Sequence, residues 1–185
     1  MVYRTLAFVT VSFLVTSSAL AQGASGYYVG IVGGLQLFND NEDGGVDVEY
    51  DPGASFGGFV GTRIGAFRAE GELNYQFADA DADNGLEPEF EALRLTANLL
   101  YDIPLATFTP YVGGGIGIAR TEFSGDVNDD DTGLTLHGEV GTTVPISAAL
   151  ALLPAYRFEW TDTNVGGLDD PQTAHAFRLG LKLDF

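Results

Sequence analysis

Two acidic clusters and two histidines are the residues of this chain whose types and spacing could do chemistry. In DADADNGLEPE (79–89), Asp79, Asp81 and Asp83 stand at alternate positions, as the first three ligands of an EF-hand calcium loop do. The match then departs from the motif: Asn84 takes the glycine position, Gly85 comes one residue late, and Phe90 stands where a bidentate Glu belongs. A second oxygen-rich run, DVNDDD (126–131), offers Asp126, Asp129, Asp130 and Asp131. Carboxylates are hard-oxygen ligands, so the cofactor these clusters could take is Ca2+ or another divalent cation, weakly held. The competing reading is a solvated acidic surface of the kind a salt-adapted organism carries. Nucleophilic catalysis is poorly provided for. A hydroxyl nucleophile needs a base within reach, yet Ser25, Ser55, Ser124 and Ser147 bear no recognisable motif spacing to His137 or His175. No catalytic residue is expected, and His137, sharing a face with Glu139, reads as part of a structural polar network.

Those clusters interrupt stretches of strict alternation. In RAEGELNYQF (68–77), Arg68, Glu70, Glu72, Asn74 and Gln76 share one face, and Ala69, Gly71, Leu73, Tyr75 and Phe77 the other. The C-terminal HAFRLGLKLDF (175–185) puts Phe177, Leu179, Leu181, Leu183 and Phe185 on an apolar face opposite Arg178, Gly180, Lys182 and Asp184. The same grammar runs through 26–38, 55–64, 93–102, 110–119, 134–144 and 148–161, making eight strands. Pro154 in the seventh supplies no ladder donor, so a bulge or local break is expected there. The connections 64–67, 102–109 and 144–147 are short; 39–53, 78–89, 121–133 and 162–174 are long and polar.

Strands that are greasy on one face and charged on the other suit a barrel in lipid. A one-residue slip would put each charged face into hydrocarbon, at roughly 2–4 kcal/mol per basic residue near the midplane. The N-terminus agrees with export. A basic start at Arg4, an apolar run over 6–15 and Ala19-Leu20-Ala21 form a secretory signal, too short to span a bilayer as a helix. The expected organisation is a signal over 1–21 and one domain over 22–185. The chain has 185 residues, no Cys and a formal net charge of -18, so disulfides are excluded. Nucleic acid is excluded as a partner because almost no Lys or Arg is left to neutralise phosphate.

The signal, the eight amphipathic strands, GELNY in the third, NLLYD closing the fourth, PYVGGGIG, AYRFEW and the terminal Phe185 together resemble the small outer-membrane β-barrel family. That family is loosely labelled porin-like and is related to Opa-type adhesins and the OmpX and OmpA barrels. The resemblance covers essentially all of the chain after the signal. It implies an all-β fold: an eight-stranded antiparallel up-and-down transmembrane barrel in the bacterial outer membrane, with short periplasmic turns, four long external loops and both termini periplasmic. It further implies insertion by the barrel assembly machinery, with Phe177, Leu179, Leu181, Leu183 and Phe185 as the assembly signal. It carries over no catalytic residues, and the peptidoglycan-binding domain that follows some relatives is not expected. The surroundings it implies are outer-membrane lipid and lipopolysaccharide, whose phosphates the acidic loops could meet through bridging divalent cations.

Sorted onto such a barrel, the charges separate. Arg63, Arg68, Arg94, Arg157, Arg178 and Lys182 face inward with Glu70, Glu72, Asp102, Glu139, Glu159 and Asp184, six of each sign, beside His137. The remaining acidic residues lie in or beside the long loops. Buried charges need partners, so an ion-pair network across the lumen is expected, with the glycine faces of the first and fifth strands leaving room for long arginines. Eight strands leave an interior just wide enough for side chains to fill. The expected role is structural or surface-interacting, towards an extracellular ligand that the residues do not name. The alternative is a narrow channel for small solutes or ions, and a lipid-modifying enzyme ranks third.

Overall fold

The computed structural model describes residues 26–38, 41–43, 46–50, 52–82, 89–124, 129–162 and 172–185, with side chains described outside 38–51, 79–90, 122–131 and 163–171. The expected signal, 1–21, lies outside the described residues. Ten strands follow in order: β1 Tyr27–Phe38, β2 Asn41–Asp43, β3 Val46–Tyr50, β4 Gly53–Ile64, β5 Phe67–Ala82, β6 Glu89–Asp102, β7 Thr109–Ser124, β8 Asp129–Pro145, β9 Leu150–Asp162 and β10 Gln172–Asp184. Eight of them close into an antiparallel barrel in which β1 pairs β4 and β10, and β5 pairs β6. The other two, β2 and β3, form a small hairpin added to the outer end of β5 through Val48↔Ala82 and Tyr50↔Ala80.

Register fixes the barrel's width. Following Cα partners once around, Tyr28 leads through Gly61, Glu70, Asn98, Gly115, His137, Glu159 and Ala174 to Phe38, ten residues further along the starting strand. With about 3.3 Å per residue and about 4.8 Å between strands, eight strands at that stagger tilt by about 40° and enclose a radius of about 8 Å. Inward side chains from opposite walls therefore meet at the axis. Alternation then decides everything else: Ile31, Phe56, Leu95, Ile116, Phe177 and Leu179 are exposed on the outside, while Arg68, Glu72, Arg94, Arg157 and Lys182 are buried inside.

The strands outrun the sequence expectation. β5, β7 and β8 extend into segments read above as loop, and the 39–53 connection holds the β2–β3 hairpin. The reason is visible in DADAD: Ala78, Ala80 and Ala82 alternate with Asp79 and Asp81, a strand period. Asp79 and Asp81 thus have extended backbone in β5, and Asp129, Asp130 and Asp131 lie in β8. Asp83 and Asp126, and the side chains of the other five, lie outside the described residues. Pro154 produces no bulge, because the β9–β10 register runs unbroken through Leu179↔Pro154. It does interrupt the other ladder. β8–β9 pairing stops at Gly141↔Ala155 and resumes at Val144↔Leu152 in unchanged register, as expected of a residue without an N–H.

All three short turns sit at the end where β1 begins and β10 finishes, the end bacterial barrels point to the periplasm. The tightest is Gly65-Ala66, where Gly65 takes φ 65°, the left-handed conformation two-residue hairpins require.

Candidate functional site: the charged barrel interior

Six strands, β4, β5, β6, β8, β9 and β10, deliver charge to the lumen, and each of the twelve inward charged residues is in at least one ion pair. At the centre, Arg157 on β9 donates to Glu72 on β5 through Nη1 and Nη2 (3.1 and 2.8 Å) and to Glu139 on β8 through Nε (2.7 Å). Arg178 on β10 donates to the same two carboxylates, at 2.6 Å to each. Two guanidiniums and two carboxylates thus form a closed square across the barrel. Planar forked donors suit that geometry; ammonium groups could not span it.

Towards the outer end, Glu159 accepts from Arg94 and from Gln76 Nε2 (2.9 Å), and lies 3.9 Å from Arg157. Towards the turn end, Arg68 on β5 donates to Glu70 and to Asp102, both at 2.9 Å, with its guanidinium 4.5 Å from the Tyr111 ring centroid. At the mouth itself Asp184 pairs with Arg63 (2.7 Å) and Lys182 (3.1 Å); here Arg63 and Asp184 are partly exposed while Lys182 stays buried. Tyr111 Oη donates to Glu139 at 3.0 Å and Tyr28 Oη to Glu70 at 2.9 Å.

His137 is buried on the lumen wall. It flanks Gly115 opposite Asn98: a Cβ on Gly115 would lie 2.1 Å from Asn98 Oδ1 and 2.8 Å from His137 Nε2. His175, by contrast, faces outward beside Tyr156 and Phe158. The two histidines are therefore on opposite sides of the wall. Phe177, Leu179, Leu181 and Leu183 are all exposed on the outer face of β10. Among the described residues no group of three metal-ligating side chains converges.

The glycine faces are used differently from the expectation. Gly34 does lie against Arg178, but Gly30 meets the Phe59 ring, Gly61 the Tyr28 ring and Gly113 Leu100. Tyr28, Val32, Phe59, Leu100, Tyr111 and Leu153 form an apolar plug on the turn side of the central square. Between plug and square is a cavity with about 20 Å³ of room for water centres, enough for about one water. Tyr28, Tyr111, Leu100 and Leu153 escaped the sequence reading. The signal was present: Tyr28 shares parity with Gly30, and Tyr111 with Gly113, so a ring on a glycine face must point inward.

The plug ties rings to the charges. Replacing Tyr28 by Phe removes the hydroxyl donor to Glu70 while keeping the ring, and is expected to cost about 1.5–3 kcal/mol. The urea midpoint of the barrel folded into lipid vesicles measures it, and an unchanged midpoint would contradict the bond.

The closed strand ladder, the apolar outer face and the paired charged interior define a transmembrane β-barrel of the kind found in Gram-negative outer membranes. The chain matches the outer membrane protein beta-barrel domain family over residues 7–185, and it belongs to that family. Its fold is similar to that of Neisserial surface protein A (TM-score 0.64, 18% identity, covering 89% of this chain and 100% of that one). Ail of Yersinia pestis matches at TM-score 0.53 and 15% identity over 85% of this chain and 98% of its own. OprG of Pseudomonas aeruginosa matches at 0.51 and 16% over 87% and 97%. A structure of Ail in complex with the heparin analogue sucrose octasulfate is also similar, at TM-score 0.53 and 15% identity over 86% of this chain and 99% of that one. No curated protein sequence matches the chain.

Proposed function

We propose that this outer-membrane barrel is a non-enzymatic structural and surface-interaction protein, a closed body that presents acidic external loops. The observation that carries this reading is the guanidinium–carboxylate square of Arg157, Arg178, Glu72 and Glu139, backed by the apolar plug. Together they fill the cross-section that a solute would have to traverse. The signal over 1–21 exports the chain, the assembly machinery inserts it by way of β10, and both termini stay periplasmic. The external partner follows from charge. A net charge of -18 would repel a polyanion such as the one held by Ail, so the loops suit a basic ligand, or lipopolysaccharide phosphate bridged by Ca2+ or another divalent cation.

A narrow ion path is the second reading. It is favoured by buried side-chain atoms on the outer side of the square that have no protein partner, among them Gln36 Oε1, Ser55 Oγ, Asn74 Oδ1 and Gln76 Oε1. Such atoms are ordinarily satisfied by water. Planar-bilayer recording separates the two. The wild-type barrel is expected to give no discrete conductance steps, whereas large, stable steps would overturn the closed-body reading.

A further inference from the structure

The outer face of β1, β10 and β9 combines a gap in its apolar surface with a polar group. Outward rows across these strands are set by register: Gly33↔Leu179↔Pro154, then Leu35↔Phe177↔Tyr156, then Leu37↔His175↔Phe158. The first row lacks a side chain at Gly33 and has only a compact ring at Pro154. The result is a shallow, open and mainly apolar groove whose lining includes Gly33, Leu35, Pro154, Phe177 and Leu179. Two rows nearer the external rim is His175, the one basic group among the described residues of these rows. His175 Nδ1 lies 2.5 Å from Tyr156 Oη, and the imidazole packs against the Tyr156 and Phe158 rings. In the tautomer whose Nδ1 accepts from the phenol, the imidazole proton sits on Nε2 and is a donor. An imidazole on a hydrocarbon-facing row is costly unless something polar meets it.

From this pairing of shape and polarity we infer a specific lipid site. The groove holds an acyl chain of an outer-leaflet glycolipid of the lipid A type, and the His175–Tyr156 pair donates to its phosphate. Lipid tails are as apolar as leucine, so burying apolar area in the groove yields no selectivity. Selectivity arises from the close contacts that a groove gives a methylene chain and from a polar pair set at head-group depth. The inference depends only on the outer-membrane location, so it stands or falls separately from the closed-body and loop-partner readings.

The test is native mass spectrometry of the folded barrel released from detergent after titration with bisphosphorylated lipid A, dephosphorylated lipid A or phosphatidylglycerol. Gly33→Leu fills the groove, and its Cβ meets nothing closer than Ser55 O at 3.6 Å, so the strand is undisturbed. Gly71→Leu is the control: it sits on another outer face with nothing within 4 Å of its Cβ. Heat-modifiable mobility on electrophoresis verifies folding of each variant. The wild type is expected to retain bisphosphorylated lipid A in preference to the other two. Gly33→Leu is expected to weaken that retention about tenfold, the loss of on the order of ten close carbon–carbon contacts, while Gly71→Leu leaves it unchanged. His175→Phe is expected to abolish the preference for the phosphorylated form and to keep acyl binding. Equal retention by Gly33→Leu and Gly71→Leu, or a wild type that does not distinguish lipid A from phosphatidylglycerol, overturns the site.

Discussion

Arg157→Ala is expected to lower the unfolding free energy of the barrel by about 3–5 kcal/mol, more than any other single truncation of a lumen side chain. Arg157 touches three carboxylates, Glu72, Glu139 and Glu159, on two neighbouring or facing walls and on its own strand. Its loss leaves Glu72 and Glu139 with Arg178 as their one remaining cationic partner, in a site too enclosed for bulk water to take over. The side chains of these two glutamates are 2% and 7% exposed. The cost is that of stranded charge, so removing charge from both ends should restore part of it. The double variant Glu72→Leu, Arg157→Leu is expected to be more stable than Arg157→Ala, and the cycle should show strong coupling. Urea titration in lipid vesicles, followed through Trp160, the only tryptophan, measures both. A loss below about 1 kcal/mol would mean that the charges behave as solvated groups, which is the channel reading.

Gly117→Val is expected to prevent the barrel from folding, and Gly117→Ala to destabilise it by about 1–3 kcal/mol or more. A Cβ at this position would stand 2.0 Å from Leu95 O and 2.7 Å from the Thr96 Cα. Both obstacles are main chain of the neighbouring strand, fixed in the Thr96↔Gly117 register, so no rotamer change relieves the collision. β6 and β7 would have to separate, breaking the ladder where lipid offers no replacement partner. Gly71→Val, with open space around its Cβ, is the matched control. Heat-modifiable mobility after refolding distinguishes them, and a folded Gly117→Val barrel would show that the close approach is not needed.

These two variants also mark where the sequence was readable. The period of two placed Arg68, Glu72, Glu139, Arg157 and Arg178 on inward faces, because alternation is local and lipid penalises any other register. What alternation leaves open is which inward residue meets which. That depends on the ten-residue stagger, which brings β5 opposite β8, β9 and β10, and no single strand encodes it. The room around the glycines was misjudged for the same reason. Gly30 lies beside Phe59 through β1–β4 register, so the neighbouring strand's ring takes the space rather than an arginine. Pro154 was a sound local signal for a lost donor. Whether the loss appears as a bulge or a gap depended on β8, whose Thr142 and Thr143 stay in register without pairing.

The uneven strand lengths bear on how a partner would associate. β5, β7 and β8 run to 16, 16 and 17 residues, against 12 in β1 and β4. At about 3.3 Å per residue and a tilt of about 40°, 16 residues rise about 40 Å, well past an apolar band about 25 Å tall. The wall from β5 to β8 therefore stands proud of the bilayer, carrying the backbone of Asp79, Asp81 and Asp129 to Asp131 as sheet. Ordering a free backbone costs about 1–2 kcal/mol per residue, and that cost ordinarily subtracts from affinity. Here hydrogen-bonded neighbours have already met it during folding. A ligand arriving at that wall would find its contact positions preorganised, and its affinity would depend on chemistry alone.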